Sequence, residues 1–303
     1  MGRSYLVMLA LLGACHARLG DPGQQALDTD SGVSIDGPDG SGSIDAPPAL
    51  GPWGTPATVT GAASTANNED DPTLSSDGLE LYYAIQPVAG GNKDLYVMKR
   101  NAVADPFGAP TALTGFNTMG TDEGPRLAYD DLTIYFGRDG DIFKSTRANK
   151  GGTWGAPSVV AGVSTAQYEK WLAVCGTNNQ HFMVSRLTAG TGGTQDLYEG
   201  DLGAGAGTIV AELSDDASSD ISTFLSKDCL TVYFASNRGG NTQIYYSTRA
   251  TMADAWNAPQ LAPAPFDTGT DNEDAGYTPD NKIFVFSSTR AGNGSKDLYI
   301  STR

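Results

Sequence analysis

The sequence predicts an all-β fold, a five-bladed β-propeller of four-stranded antiparallel blades, and three observations carry that prediction. One phrase recurs along the chain: "NKDLYVMKR" ends at Arg100, "GDIFKSTR" at Arg147, "TQIYYSTR" at Arg249 and "SKDLYISTR" at Arg303. Its aromatic anchors, Tyr96, Phe143, Tyr198, Tyr245 and Tyr299, lie 47, 55, 47 and 54 residues apart. Aromatics sit in short runs with β-branched neighbours, glycine is abundant, and no apolar pattern of helical period is sustained. A period of about 40–50 residues that holds four short strands is the signature of a propeller blade.

Each unit repeats the same parts. It opens with an aromatic residue and a proline, as in "WGTP" at Trp53, "FGAP" at Phe107, "WGAP" at Trp154 and "WNAP" at Trp256. An acidic stretch follows: "NNEDDP", "GTDEGP", "AQYEKW", "SSDIS" and "DNEDAG". Next comes a hairpin into a β-rich run, as in "LSSDGLELYY", "LAYDDLTIYF", "LSKDCLTVYF" and "YTPDNKIFVF". Asp77-Gly78 and Asp280-Asn281 are turn dipeptides there, at positions that need a positive φ. The closing phrase supplies the third strand, and the "PATV" type of segment that follows supplies the outermost. The third and fourth units are degraded, with "GTNNQHFMVS" for a hairpin and "GTIVAEL" for an opening, yet both keep the strand pattern.

The segment "P-x-L-S-x-D-G-x-x-L-Y-Y…D-L-Y", Pro72 through Tyr96, resembles the WD40-like PD40 repeat of TolB-type propellers. The resemblance covers 53–303 and implies a propeller in an extracytoplasmic compartment. In such blades the acidic-Pro segment begins the innermost strand and the segment after "DLYxxxR" is outermost. The fifth unit then reaches only its third strand, while "WGTPATV" at 53–59 has no blade of its own. Pairing that strand with the last blade is expected to close the ring and remove an exposed edge.

Ahead of the repeats, Arg3 and the apolar "SYLVMLALLGA" read as an export signal too short to span a bilayer. Leu12, Gly13 and Ala14 before Cys15 resemble a bacterial lipobox, which implies a signal peptide at 1–14 and a diacylglycerol on the Cys15 sulfur; the alternative is an ordinary signal peptide. His16 in place of aspartate after the lipidated residue favours the outer membrane. The rest of 15–52 is rich in Gly, Pro, Ser and Asp and reads as a tether. Its "DTDSGVSIDGPD" has carboxylates at calcium-loop-like spacing without the full loop pattern, so a plain acidic linker is the alternative.

The formal charge of −16 argues against nucleic acid and against anionic membrane surfaces. The acids of the repeat, Glu69, Asp70, Asp122, Glu123, Glu169, Asp220, Glu273 and Asp274, are expected at the entrances of the inner strands, ringing one mouth of a central channel. Such a ring can bind a cation such as calcium or a polyhydroxylated ligand, or hydrolyse a glycoside with two suitably spaced acids. Equally, it can cap turns and keep the surface soluble. Repetition in every unit favours the structural role, because a catalytic site breaks symmetry. Arg100, Arg147, Arg249 and Arg303 are expected to pair with acids of a neighbouring blade, and the opening aromatics to pack between blades.

No metal-binding pattern, nucleophile elbow or catalytic residue stands out, and only His181 lies within the repeats. Cys175 and Cys229 fall near corresponding hairpins of adjacent units; in an oxidising compartment they can form a disulfide, or else remain buried thiols. The function expected is therefore non-enzymatic: a monomeric, lipid-anchored propeller of the cell envelope that binds envelope proteins or a surface ligand, needing no cofactor. The alternative is a carbohydrate-binding or glycoside-hydrolysing propeller that uses the carboxylates at the channel mouth.

Overall fold

The structure, a computed structural model, describes residues 50–61, 64–188, 193–268, 270–291 and 295–303. The signal segment 1–14, Cys15 and the calcium-like stretch of the tether lie outside the described residues. The described residues form five four-stranded antiparallel sheets, and no helix is found among them. Blade 1 comprises β2 (Asn68–Leu74), β3 (Glu80–Gln86), β4 (Asp94–Lys99) and β5 (Thr111–Ala112). Blade 2 comprises β6 (Asp122–Leu127), β7 (Thr133–Arg138), β8 (Asp141–Thr146) and β9 (Ser158–Val159). Blade 3 comprises β10 (Glu169–Cys175), β11 (His181–Leu187), β12 (Gln195–Asp201) and β13 (Thr208–Ile209). Blade 4 comprises β14 (Asp220–Leu225), β15 (Thr231–Ser236), β16 (Gln243–Thr248) and β17 (Gln260–Leu261). Blade 5 takes β18 (Asn272–Tyr277), β19 (Ile283–Ser288) and β20 (Asp297–Thr302), and its outer strand is β1 (Ala57–Thr58). The degraded third and fourth units are thus regular blades.

The ring closes as expected from the sequence, with Ala57 opposite Ile300 and Thr58 opposite Tyr299. Gly54 N–H donates to the Thr302 carbonyl and Val59 N–H to that of Leu298, which extends the ladder at both ends. The first strands of the blades, β2, β6, β10, β14 and β18, border one another in a closed cycle around the axis. Apolar cores lie between the blades: Met183 and Leu197 of blade 3 meet Leu225 and Phe234 of blade 4, and Leu81 and Met98 of blade 1 meet Leu298 of blade 5. Burying such side chains contributes about 1.5–3 kcal/mol each, so the blade junctions hold the ring together.

The hairpins follow from local chemistry. In blades 1, 4 and 5 a hydroxyl donates to the aspartate two residues on: Ser75 to Asp77 at 2.7 Å, Ser226 to Asp228 at 2.5 Å and Thr278 to Asp280 at 2.7 Å. The next residue turns left-handed, Gly78 at φ 70°, Cys229 at φ 62° and Asn281 at φ 58°. This is the side-chain-capped turn that Ser, Thr and Asp favour.

Every innermost strand carries a bulge that the sequence does not announce. Pairing with the second strand slips between Asp70 and Thr73, Glu123 and Arg126, Lys170 and Ala173, Ile221 and Phe224, and Glu273 and Gly276. At each slip one residue adopts positive φ: Asp71, Gly124, Trp171, Ser222 and Asp274. A bulge leaves its extra residue unpaired and re-aims it. Here that happens once per blade around the axis.

Candidate functional site

The acids expected to form one ring are divided between two structures. Glu69, Asp122, Glu169 and Asp220 are fully buried and brace the blades from within. Asp122 pairs with Arg138 at 2.7 Å, Glu169 with Arg186 at 2.8 Å and Asp220 with Arg238 at 2.5 Å. In blade 5 Asn272 takes the acid's place and accepts from Arg290 Nη2 at 2.8 Å. Each arginine lies over the closing aromatic of its own blade, Phe143, Tyr198, Tyr245 or Tyr299. Blade 1 has no arginine at the corresponding strand end. Its Glu69 instead accepts from the Thr65 hydroxyl and from the Thr65 N–H at 3.0 Å, and burial raises the pKa of its carboxyl. A buried acid with a dedicated arginine stabilises a blade and is closed to a ligand.

The other acids, Asp70, Glu123, Glu273 and Asp274, gather at the axis with Asp71. The bulge residues form a plug across the channel. Trp171 Nε1 of blade 3 donates to Asp71 Oδ1 of blade 1 at 2.5 Å, and Gly124 N–H of blade 2 donates to Asp71 Oδ2 at 3.1 Å. Asp71 N–H donates to Asp274 Oδ2 at 3.2 Å, while Ser222 and Ser287 donate to the two Asp274 oxygens, each at 2.5 Å. Arg126 of blade 2 crosses to blade 4, where its Nε donates to the Thr223 carbonyl at 3.0 Å. Glycine at 124 has two causes, its φ of +60° and the Trp171 ring, which a Cβ would meet at 3.0 Å.

Lysines cover this plug on the face where the inner strands begin. Lys93 Nζ lies 2.7 Å from Asp70 Oδ2, 3.5 Å from Asp71 Oδ2 and 3.3 Å from Glu123 Oε2. Lys170 reaches Glu123 Oε1 at 2.7 Å and sits over the rings of Tyr168 and Trp171. Lys296 reaches Glu273 at 2.5 Å and stands 4.0 Å from Asp70. Tyr168 donates to Glu123 Oε1 at 2.9 Å. The side chains of Lys93, Lys170 and Lys296 keep 16, 19 and 21% exposure, whereas Asp71 keeps 1%. Solvent at this mouth therefore meets ammonium groups, with the carboxylates beneath.

Burial and crowding set the protonation of the cluster. Burial raises the Asp70 carboxyl well above the usual range, and the adjacent Asp71 charge adds to it. Asp71 stays well below that range: burial opposes its charge, but Lys93, the Trp171 N–H and Arg126 outweigh it. Burial, then Asp71 and Glu273, push Asp274 up to about 7. Burial also works against the Lys93 charge, yet Asp71, Asp70 and Glu123 hold its pKa well above the ordinary lysine value. Among the described residues no group of three or more His, Cys, Asp or Glu is arranged to hold a metal ion. The Lys93 ammonium occupies the space between three carboxylates, where a cation would otherwise sit.

Outside the axis, Cys175 and Cys229 form a disulfide between blades 3 and 4, with Cα atoms 5.4 Å apart. Arg147 and Arg249 pair with acids of the preceding blade, Glu80 and Glu199, each at 2.7 Å. Arg100 and Arg303 depart from that expectation and donate to the carbonyls of Gly78 and Asn281. All four stack on an opening aromatic, Phe107, Trp154, Trp256 or Trp53. The Arg303–Trp53 stack repeats across the ring closure what the other three make between successive units.

Sequence reasoning named Asp70, Glu123, Glu273 and Asp274 and missed Asp71, Arg126, Trp171 and the lysines. A signal for two of them was present: Lys93 and Lys296 stand directly before the "DLY" of the first and fifth units.

No family model matches the chain, and no curated protein does. Among solved structures, an α-L-arabinofuranosidase from Podospora anserina in complex with cellotriose superposes at a TM-score of 0.53 and 14% identity, covering 81% of this chain and 94% of its own. The catalytic domain of the Coprinopsis cinerea GH62 α-L-arabinofuranosidase gives 0.53 at 12% identity, covering 82% of this chain and 96% of its own. TolB from Acinetobacter baumannii gives 0.48 at 13%, covering 78% of this chain and 55% of its own. At these identities the likeness is one of fold. The chain is a five-bladed propeller with an asymmetric, lysine-covered charge cluster at its axis.

Proposed function

We propose that the protein is a lipid-anchored, extracytoplasmic propeller that acts as a binding scaffold in the bacterial cell envelope. The observation that supports this reading is the state of the axial carboxylates. Asp70, Asp71, Glu123 and Asp274 are buried, and lysines, an indole, hydroxyls and backbone amides hold them. General acid–base work needs a carboxyl within reach of a substrate atom, and these lie within the plug or beneath the lysines that cover it. The face that carries the mouth also presents Val88 and Met119, with Met119 almost wholly exposed. Asn92 of the Val88 loop donates to the Met119 carbonyl, so the two loops are tied together. Ammonium groups beside exposed apolar side chains suit recognition of a partner surface.

The chain enters the disc on the opposite face. Gly54 pairs with Thr302, whereas the mouth lies at the other end of β20, beside Lys296.

A second reading is carbohydrate binding. A groove of 390 Å³ adjoins the mouth, lined by Asp139, Asp141, Thr165, Gln167 and Tyr168, and polar side chains of this kind suit a polyhydroxylated ligand.

Both readings meet in one experiment. The protein and a Cys15→Ser variant are expressed, fractionated and used for cross-linked capture from envelope extracts. The wild type is expected in the membrane fraction with a reproducible partner, and the variant is expected to be released. Hydrolysis of a panel glycan with no partner recovered would overturn the scaffold reading.

A further inference from the structure

We propose that the seam between blades 2 and 3 is a receptor for the indole ring of a tryptophan on a partner protein; this deepens the scaffold reading and rests on it. At the other four seams the following blade fills the gap itself, with a closing arginine stacked on an opening aromatic: Arg100 on Phe107, Arg147 on Trp154, Arg249 on Trp256 and Arg303 on Trp53. Blade 3 brings neither. Leu202 stands in the arginine's place, because its N–H donates to the Gln180 carbonyl at 2.8 Å as those of Arg100, Arg147 and Arg249 do to Leu79, Leu132 and Leu230. From those arginines the chain runs eleven residues to its outer strand, at Thr111, Ser158 or Gln260; from Leu202 it reaches Thr208 in six. The shortcut turns at once, with Ala204 N–H on the Asp201 carbonyl at 3.0 Å, and it carries no aromatic residue. A groove of 490 Å³ stands there, lined by Thr133, Tyr135, Lys144, Thr146, Val160 and Leu202 among others. At the blade 1–2 seam, with Trp154 in place, 230 Å³ remains.

The wall of this groove matches the wall that holds Trp154. Across blade 1, Glu80 faces Lys99 and Tyr82 faces Val97; across blade 2, Thr133 faces Thr146 and Tyr135 faces Lys144. Tyr135 therefore holds the register position of Tyr82, whose hydroxyl accepts from Trp154 Nε1 at 3.3 Å and whose ring meets the indole edge-on. Tyr135 is only 4% exposed, it lines the groove, and among the described residues its hydroxyl has no hydrogen-bond partner. A buried tyrosine hydroxyl usually finds one. An indole seated here as Trp154 is seated one blade earlier would supply it.

The remaining wall residues select the ring and not the arginine. Glu80 and Glu199 receive the guanidinium groups at the blade 1–2 and 3–4 seams. No carboxylate lines this groove, and Thr133 and Thr146 stand where blade 1 has Glu80 and Lys99. Lys144 takes the place of Val97, exposed and without an ion pair among the described residues. A guanidinium would be repelled there. An aromatic ring would gain a cation at its face, the contact that an arginine supplies at the other seams. Tryptophan also brings an N–H for the Tyr135 hydroxyl, and it is enriched among the side chains that anchor an interface in a pocket.

Titration calorimetry with the full-length protein in detergent tests the seat. The probes are a blocked Trp-Gly-Ala-Pro peptide, copied from the segment at Trp154, and its twins with Phe or Ala in first place. The Trp peptide is expected to bind at least about tenfold more tightly than the Ala peptide, a gap of about 1.4 kcal/mol, with the Phe peptide between them. Tyr135→Phe should melt like the wild type and erase the advantage of Trp over Phe. Ala161→Trp places a ring in the groove from its exposed rim and should abolish binding. Peptides that bind alike or not at all, or a folded Tyr135→Phe or Ala161→Trp protein that binds them like the wild type, would overturn the receptor. Capture of an envelope partner undiminished by Ala161→Trp would also overturn it and would leave the scaffold reading standing.

Discussion

The junction of blades 1 and 2 and the junction of blades 3 and 4 solve one packing problem with different chemistry. At the first, Arg147 pairs with Glu80, lies over Trp154 and donates to Tyr82 Oη at 3.2 Å, while Lys99 holds the other Glu80 oxygen at 2.8 Å. At the second, Arg249 pairs with Glu199 and lies over Trp256, and the Trp256 N–H donates to the other Glu199 oxygen at 3.0 Å. The cross-strand pair behind each is reversed in sign. Glu80 faces Lys99 in blade 1, and His181 faces Asp201 in blade 3. Blade 3 ends β12 on an acid, and its continuation has no opening aromatic. The junction that involves this altered blade is the one that carries the disulfide. The covalent link there adds to an ion pair and a stack of the same kind as those of the blade 1–2 junction.

The largest effect should come from breaking that link. Cys175→Ser with Cys229→Ser opens a loop of 54 residues, for which chain entropy gives a loss of about 4 kcal/mol. Urea unfolding should show it, and a reductant should destabilise the wild type by a similar amount while leaving the variant unchanged. Equal stability of oxidised and reduced wild type would mean that the blade 3–4 junction does not need its link.

A smaller difference should separate the arginines. Arg147→Ala leaves Glu80 buried with the Tyr82 hydroxyl and the half-exposed Lys99, and removal of one partner of a buried pair costs about 3 kcal/mol. In Arg249→Ala, Glu199 keeps His181 at 2.6 Å and the Trp256 N–H, so the loss should be about 1–2 kcal/mol. Melting of the two variants side by side checks the order, and the reverse order would deny His181 its supporting role.

The smallest effect is one of pH. Burial works against the His181 charge, but hydrogen bonds to Glu199 and Asp201 outweigh it and raise its pKa above 6.5. A raised folded-state value means that the charged histidine stabilises the fold fully below about 6.5, the unfolded value, and that this is lost as pH rises through the folded value. His181→Gln should remove that slope from the wild-type stability profile. Because the blade 1–2 junction has no histidine, a variant confined to it should keep the slope.

The repeat made the fold legible. The five closing aromatics, Tyr96, Phe143, Tyr198, Tyr245 and Tyr299, fix the blade number, and the unpartnered "WGTPATV" fixes the closure. The axial site was legible in half. Strand alternation assigns one acid of a neighbouring pair to each face, so Asp70 and Asp71 could not both be placed at the axis without the bulge between Asp70 and Thr73. Trp171 and Ser222 were hidden for the same reason, since their units carry no acid at the bulge position. Lys170 was in view within "AQYEKW", but its neighbour Glu169 turns to Arg186 and only the lysine reaches the axis.

Ring closure also has a consequence in time. Blade 5 needs β1, near residue 57, and β20, near residue 300, together. A ribosome delivers the first of these long before the second. While four blades' worth of chain emerges, Trp53 lacks Phe284, Val59 lacks Leu298, and blade 1 stands with one flank bare. The last pairing is the most distant in sequence, so it is the slow one by loop-closure entropy. A newly made propeller of this design is an open arc that must be kept from joining a second arc until its own final strand arrives.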